Sequence, residues 1–121
     1  MGTYVISKRL NGMYKYEFTS RKGKTIYTSN DFELRFECEA EIEAIKENVE
    51  ELIFLRFKSS KGKYYFKIIL NKKEVAKSRL YTTQLLMQKG IDEILRSATL
   101  SEILDFSSSD SIFPPAEAIF G

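Results

Sequence analysis

Four glutamates, Glu37, Glu39, Glu41 and Glu43, fall close together and include pairs four apart, the spacing that sets two carboxylates side by side on a helix. Such pairs are the raw material of a divalent-cation site, but a hard cation asks for about six or more oxygen ligands, more than one exposed helix supplies. They read as a solvated acidic face. Cys38 lies among them, where a low-pKa thiol would be a redox centre. It falls on an apolar stripe and aligns with Met87, so it reads as a packed structural thiol. Ser60-Lys61-Gly62-Lys63 has the Ser-x-x-Lys spacing of an acyl-transfer nucleophile and base, yet it sits in a turn with none of the accompanying motifs. The chain holds no histidine, which removes the commonest proton shuttle and metal ligand. No catalytic residue, metal site or cofactor is expected, and the chain is read as a non-enzyme.

The remaining chemistry is that of cations interleaved with aromatics. Residues 1–30 carry six Lys or Arg against Glu17, a net of +5, and residues 52–96 carry a net of +8. The segment between them, 31–51, has a net of −7, and 97–121 has −4, so the overall charge of +2 conceals basic strands and an acidic first helix. If strand alternation turns Tyr14, Tyr16 and Phe18 inward, the other face receives Lys15, Arg56, Tyr65 and Lys67, together with Arg9 and Tyr27. These residues are the candidate nucleic-acid or partner surface: a sheet bearing Lys and Arg among rings holds single strands by stacking and phosphate contact. Lys61 to Phe66 has the character of an RNA-binding strand motif, without its small residue. Lysines on strands also keep sheet edges soluble, and Glu17 dilutes the patch.

The elements that must position these residues come from a duplication. Gly12 to Ser29 and Gly62 to Ser78 match with Gly12 on Gly62, Tyr14 on Tyr64, Tyr16 on Phe66 and Phe18 on Ile68, an offset of 50. From Ile26 on Val75 through Ser29 on Ser78 and Ile45 on Ile94 the offset is 49, so one residue was lost at a turn, where length changes cost least. Thr3 to Arg9 reads as an opening strand closed by Asn11-Gly12. Arg21-Lys22-Gly23 and Asn71-Lys72-Lys73 read as further turns. A first helix is expected from Asn30 or Asp31, with Glu33 completing a capping box, and Leu34, Cys38, Ile42, Ile45, Val49 and Leu52 forming one stripe. Ile53 to Lys58 opens the second copy, Thr82 is expected to cap a helix over 85–97, and Ile103 to Phe106 adds a closing strand. Gly90 inside that helix implies close packing.

The pattern Gly-x-Tyr-x-Phe, a polar turn, then Ser-x-x-Tyr leading to a helix with Gly-Ile resembles the YegP-like family of small bacterial proteins. Gly62, Tyr64, Phe66, Ser78, Tyr81, Gly90 and Ile91 fit it, whereas the first copy has Tyr16, Phe32 and Glu41 where the pattern puts Phe, Tyr and Gly. The resemblance runs from about Thr3 to Phe106. It implies an α+β fold with one antiparallel sheet, and that two-repeat chains mimic internally a dimer of single-repeat relatives. It implies no activity.

The expected architecture is therefore α+β: tandem β-β-β-α repeats, 3–51 and 52–106, sharing one antiparallel sheet of about seven strands with two helices on one face and a pseudo-twofold. Residues 1–106 form one domain, and 107–121, with Ser-rich runs and Pro114-Pro115, read as a flexible tail. With one cysteine no internal disulfide is available, and no apolar run suits a bilayer, so a cytoplasmic setting is expected. The function expected is a non-catalytic binding or interaction module, with a protein partner or self-association. The alternative is single-stranded nucleic-acid binding through the exposed sheet face.

Overall fold

Alternation of bulky residues yields strands wherever it occurs, and the two apolar stripes yield helices. The computed structural model describes residues 2–107; residues 108–121, most of the expected tail, lie outside the described residues. In order come β1 (Thr3–Lys8), β2 (Tyr14–Thr19), β3 (Thr25–Ser29), α1 (Arg35–Glu47), a 3-10 turn at Val49–Glu51, β4 (Ile53–Lys58), β5 (Tyr64–Leu70), β6 (Lys73–Ser78), α2 (Gln84–Ser97) and β7 (Glu102–Asp105). All seven strands form one sheet in the order β4-β5-β6-β3-β2-β1-β7. Every pairing is antiparallel except β7 on β1, which is parallel, so the sheet is mixed at that edge.

The centre of the sheet is a symmetric junction. Thr28 pairs with Lys77, its counterpart 49 residues on, while Tyr27 faces Ser78 and Ser29 faces Ala76. Each half carries the same buried device. Ser29 Oγ accepts from Tyr16 N–H at 2.9 Å and donates to Asn30 C=O at 2.8 Å; Ser78 Oγ accepts from Phe66 N–H at 2.9 Å and donates to Arg79 C=O at 2.7 Å. These hydroxyls satisfy backbone groups that the ladder leaves unpaired.

Three of the hairpin loops share one geometry. Arg9 to Met13, Ser20 to Lys24 and Ser59 to Lys63 each close with the same two backbone hydrogen bonds, at 2.7 Å and 2.9–3.0 Å, and each needs a glycine in the left-handed region, at φ of 88°, 86° and 81° for Gly12, Gly23 and Gly62. The β5–β6 turn is one residue shorter. Asn71 and Lys72 both take positive φ, 53° and 66°, and Leu70 pairs with Lys73, the two-residue turn that suits right-handed strand twist. This shortened loop lies where the sequence offset changes from 50 to 49.

Both helices lie on one face. Tyr4, Ile6, Tyr16, Phe18, Phe66 and Ile68 on the strands meet Cys38, Ile42 and Ile45 on α1 and Met87, Ile91 and Ile94 on α2, all buried. α1 begins later than the capping pattern suggests. Phe32 is held in a β-bridge with Tyr14, with reciprocal hydrogen bonds of 2.7 Å, so helix cannot start at Asn30, and Glu37 instead accepts from Leu34 N–H at 3.0 Å. Tyr81 makes the same bridge to Tyr64, and Thr83, one residue beyond the expected cap, accepts from Leu86 N–H at 3.1 Å. The Tyr81 hydroxyl occupies the space that a Cβ on Gly90 would fill, which is why α2 tolerates a glycine there.

Candidate functional site

The face of the sheet away from the helices holds three of the six candidate residues. Lys15, Tyr65 and Lys67 lie on it, out of phase with the buried Tyr16, Phe66 and Ile68. Tyr27 does not: it is fully buried, stacked on Phe18 at 5.9 Å between centroids and edge-on to Tyr16. A register shift between Phe18 and Thr19 sets the pair Phe18–Tyr27 beside Thr19–Thr25. The extra residue, Ile26, breaks the alternation, and both Ile26 and Tyr27 are enclosed. The same irregularity at Ile68 and Ile69 encloses both Val75 and Ala76.

Arg56 also sits on the other side. It pairs with Phe66, and its guanidinium donates to Gln88 on α2 at 2.8 Å, so it belongs to the helix face. The residues that β4 presents to the open face are Ile53, Leu55 and Phe57, which pair with Ile69, Lys67 and Tyr65. On an edge strand both faces are wet, and hydrophobicity alone does not choose between the registers. The offset of 50 carries the missing signal, because it lays Arg56 on the core residue Ile6 and Phe54 on Tyr4. Arg9, at the end of the sheet, is paired with Asp31 at 2.5 Å.

The open face is therefore apolar at the β4–β5 end and nearly neutral in charge. Ile53, Leu55 and Phe57 are 54%, 43% and 37% exposed. Phe57 stacks on Tyr65 at 5.2 Å, Lys67 Nζ lies 5.4 Å from the Phe57 ring centre, and Lys77 Nζ lies 4.8 Å from that of Tyr65. Lys67 is paired with Glu74 at 3.4 Å and Lys15 with Glu17 at 2.6 Å. Lys77 has no carboxylate partner among the described residues.

A second cluster of titratable groups lies inside. Tyr4 donates to Ala98 C=O at 2.8 Å, and Tyr16 donates to Glu41 Oε2 at 2.7 Å. The Tyr27 hydroxyl approaches that of Tyr16 without completing a hydrogen bond of ordinary geometry. Burial pushes all three phenols above their usual range, so none serves as a base near neutrality. Glu41 is also raised by burial, against the opposing pull of Tyr16 and of the Lys73 charge. Cys38 is buried, and burial together with the neighbouring Glu41 pushes its thiol up to about 11, the reverse of an activated nucleophile. Among the described residues no group of three or more His, Cys, Asp or Glu is arranged to hold a metal. No described helix is long and apolar enough to cross a membrane.

No family model matches the sequence, and no curated protein matches it. Solved structures do match. The solution structure of the Escherichia coli protein yegP, of unknown function, superposes with a TM-score of 0.78 at 22% identity, over 88% of this chain and 93% of that one. This chain has the YegP-like fold. A UPF0339 protein from Shewanella oneidensis superposes with a TM-score of 0.78 at 18% identity, covering 93% of this chain and 97% of its own. The likeness agrees with the Gly-x-Tyr-x-Phe and Ser-x-x-Tyr pattern, and at these identities it speaks for fold alone. In this chain Ser78, Tyr81 and Gly90 are the backbone-satisfying hydroxyl, the bridge residue and the space beneath its ring.

Proposed function

We propose that this chain is a non-catalytic binding module made of two β-β-β-α repeats, whose open sheet face at the β4–β5 end receives the apolar, acid-bordered surface of another protein. The observation that carries the reading is the exposure of Ile53, Leu55 and Phe57 beside Tyr65 on a sheet end that no described element covers. Contiguous apolar surface of this kind on a small protein marks interaction sites, and Lys77 supplies a cation for a carboxylate at the border. Among the described residues no base or nucleophile is poised beside a cleft, which supports a non-enzymatic role. The one thiol, buried in the core, suits a reducing compartment, which we take to be the cytoplasm.

The cations over Phe57 and Tyr65 favour single-stranded nucleic acid as the second reading. Against it, Lys15 and Lys67 are already neutralised by glutamates, and phosphate-driven binding needs cations free to release counterions. The test is affinity capture on the wild type and on a Leu55→Asp/Phe57→Asp variant, followed by direct titration of the purified captured protein. Binding weakened by about tenfold or more in the variant is the expected result. A single-stranded oligonucleotide that binds at low salt, falls away steeply as salt rises and is lost in Lys77→Glu would replace the protein-binding reading with the nucleic-acid one.

A further inference from the structure

The two edges of the sheet are built alike but finished differently. β1 and β4 open the two β-β-β-α runs, and β7 lies parallel on the outer side of β1, with Ile103 beside Tyr4, Leu104 beside Val5 and Asp105 beside Ile6. The Phe106 N–H donates to Ile6 C=O at 2.8 Å. At its far end β7 is anchored to the first turn of α1, where Arg35 meets Asp105 at 2.9 Å. Although partial burial raises the Asp105 carboxyl, hydrogen bonds from the Ser107 hydroxyl and N–H and the charge of Arg35 together hold it below the usual range, so it remains an anion.

At β4 the corresponding seat is open among the described residues. The Phe66 N–H is turned toward β6, where it meets Ser78 Oγ. Arg56, its partner across the β4–β5 pair, must therefore direct its own N–H and C=O away from β5, as Ile6 does toward β7. Beside this edge is a cleft of about 600 Å³ between β4 and the first turns of α2, lined by Arg56, Lys58, Tyr64, Gln84, Met87 and Gln88. Gln84 stands where α1 has Arg35, so the helix cation is missing here, but Arg56 supplies a guanidinium from the strand instead. Arg56 is engaged with the neutral amide of Gln88, and Lys58 lies 5.6 Å over the Tyr64 ring. The cleft thus combines unpaired strand groups, an apolar wall and cations with no acidic partner among the described residues.

We propose that this edge and cleft form a second binding site, which adjoins the open sheet face at Leu55: a seat for an extended segment of another protein, added parallel to β4. The inference rests on the correspondence of the two halves, and β7 on β1 shows what occupies such a seat. The segment carries an apolar residue beside Phe54, a second beside Leu55 and an acidic residue beside Arg56, as β7 places Ile103, Leu104 and Asp105. Main-chain hydrogen bonds give the attachment and the carboxylate gives its register. Charge complementarity selects an acidic segment over a basic one.

The probe is a synthetic peptide with the sequence of Ser101–Ser107, titrated into the full-length, isotopically labelled protein and followed by amide shifts. Saturable shifts gathered on Phe54–Lys58 and Gln84–Gln88 are expected, and replacing the aspartate of the peptide with lysine weakens binding by about tenfold. Arg56→Glu in the protein does the same, and the lysine peptide binds Arg56→Glu better than the original peptide does. No saturable shift, shifts confined to β1 and α1 from exchange with β7, or indifference to both charge reversals would overturn the proposal. So would sedimentation of the wild type as a dimer that Arg56→Glu dissociates, since the occupant would then be a second copy. Lys77→Glu on the open face leaves peptide binding unchanged, which separates failure at this site from failure at the other.

Discussion

Glu41 on α1 and Gly90 on α2 hold corresponding positions, and each is matched to its neighbours. Where Tyr81 fills the space above Gly90, the first half has Phe32, which lacks the hydroxyl, and a glutamate that reaches Tyr16 instead. That exchange leaves a half-buried carboxylate with a consequence for pH. Burial raises Glu41 above its usual value, outweighing the Tyr16 hydrogen bond and the Lys73 charge. A raised value in the folded chain means that the unfolded chain loses this proton first as pH rises. The associated stability is complete below the unfolded pKa and is lost as pH climbs through the folded one. Glu41→Gln keeps an acceptor for Tyr16 and removes the titration, so urea midpoints of the wild type should fall relative to the variant as pH rises above the ordinary glutamate value of about 4.3. Parallel curves would show that Glu41 is solvated like any surface glutamate. Glu41 was legible only as one of four clustered acids. Its burial depends on Tyr16, 25 residues away, which helix spacing does not reveal.

Among the elements, the β5–β6 hairpin stores strain that its counterpart avoids. Lys72 has φ of 66° with a Cβ in place, a conformation that costs an L-residue about 1 kcal/mol. The three longer loops place glycine wherever the left-handed region is needed. Lys72→Gly should therefore raise the denaturation free energy by about 0.5–1 kcal/mol, read from urea midpoints at unchanged slope. A loss of stability would mean that the lysine side chain contributes more than its backbone costs. Strands, turns and the Cys38, Ile42 and Ile45 part of the first helical stripe were legible because periods of two and 3.6 act locally, whereas Leu34, expected on the same stripe, is exposed just before α1 and Val49 and Leu52 fall beyond its end. The bulge at Ile26 was not legible, since it exists only where β3 meets β2 out of step, and it moved Tyr27 from the surface to the core.

For the molecule as a whole, the halves are joined by more than the β3–β6 pairing. Tyr4 of the first strand bonds Ala98 beyond α2, Thr99 donates to Lys46 C=O at 3.1 Å, and Asn30 donates to Glu74 C=O at 3.0 Å. One apolar cluster runs through both. We propose that the described residues unfold as one unit. Ser29→Ala and Ser78→Ala each strand a buried N–H, of Tyr16 or of Phe66, and each should cost about 1–3 kcal/mol. Both should shift one and the same thermal transition, by similar amounts; two transitions, each moved by only one substitution, would show halves that fold separately.

The amino-acid order alone determined the inventory: two β-β-β-α runs, the aromatic inward set, the glycine turns and the single offset change, all of which arise from interactions between near neighbours in the chain. The tertiary structure decided which way each strand faced its partner. Arg56 is turned to α2 and Leu55 and Phe57 to the open side by pairing with Phe66, Lys67 and Tyr65, and β7 is laid on β1 while the matching edge of β4 has no described strand beside it. A one-residue choice of register exchanges every side chain between two faces, and that choice is made by the opposite strand.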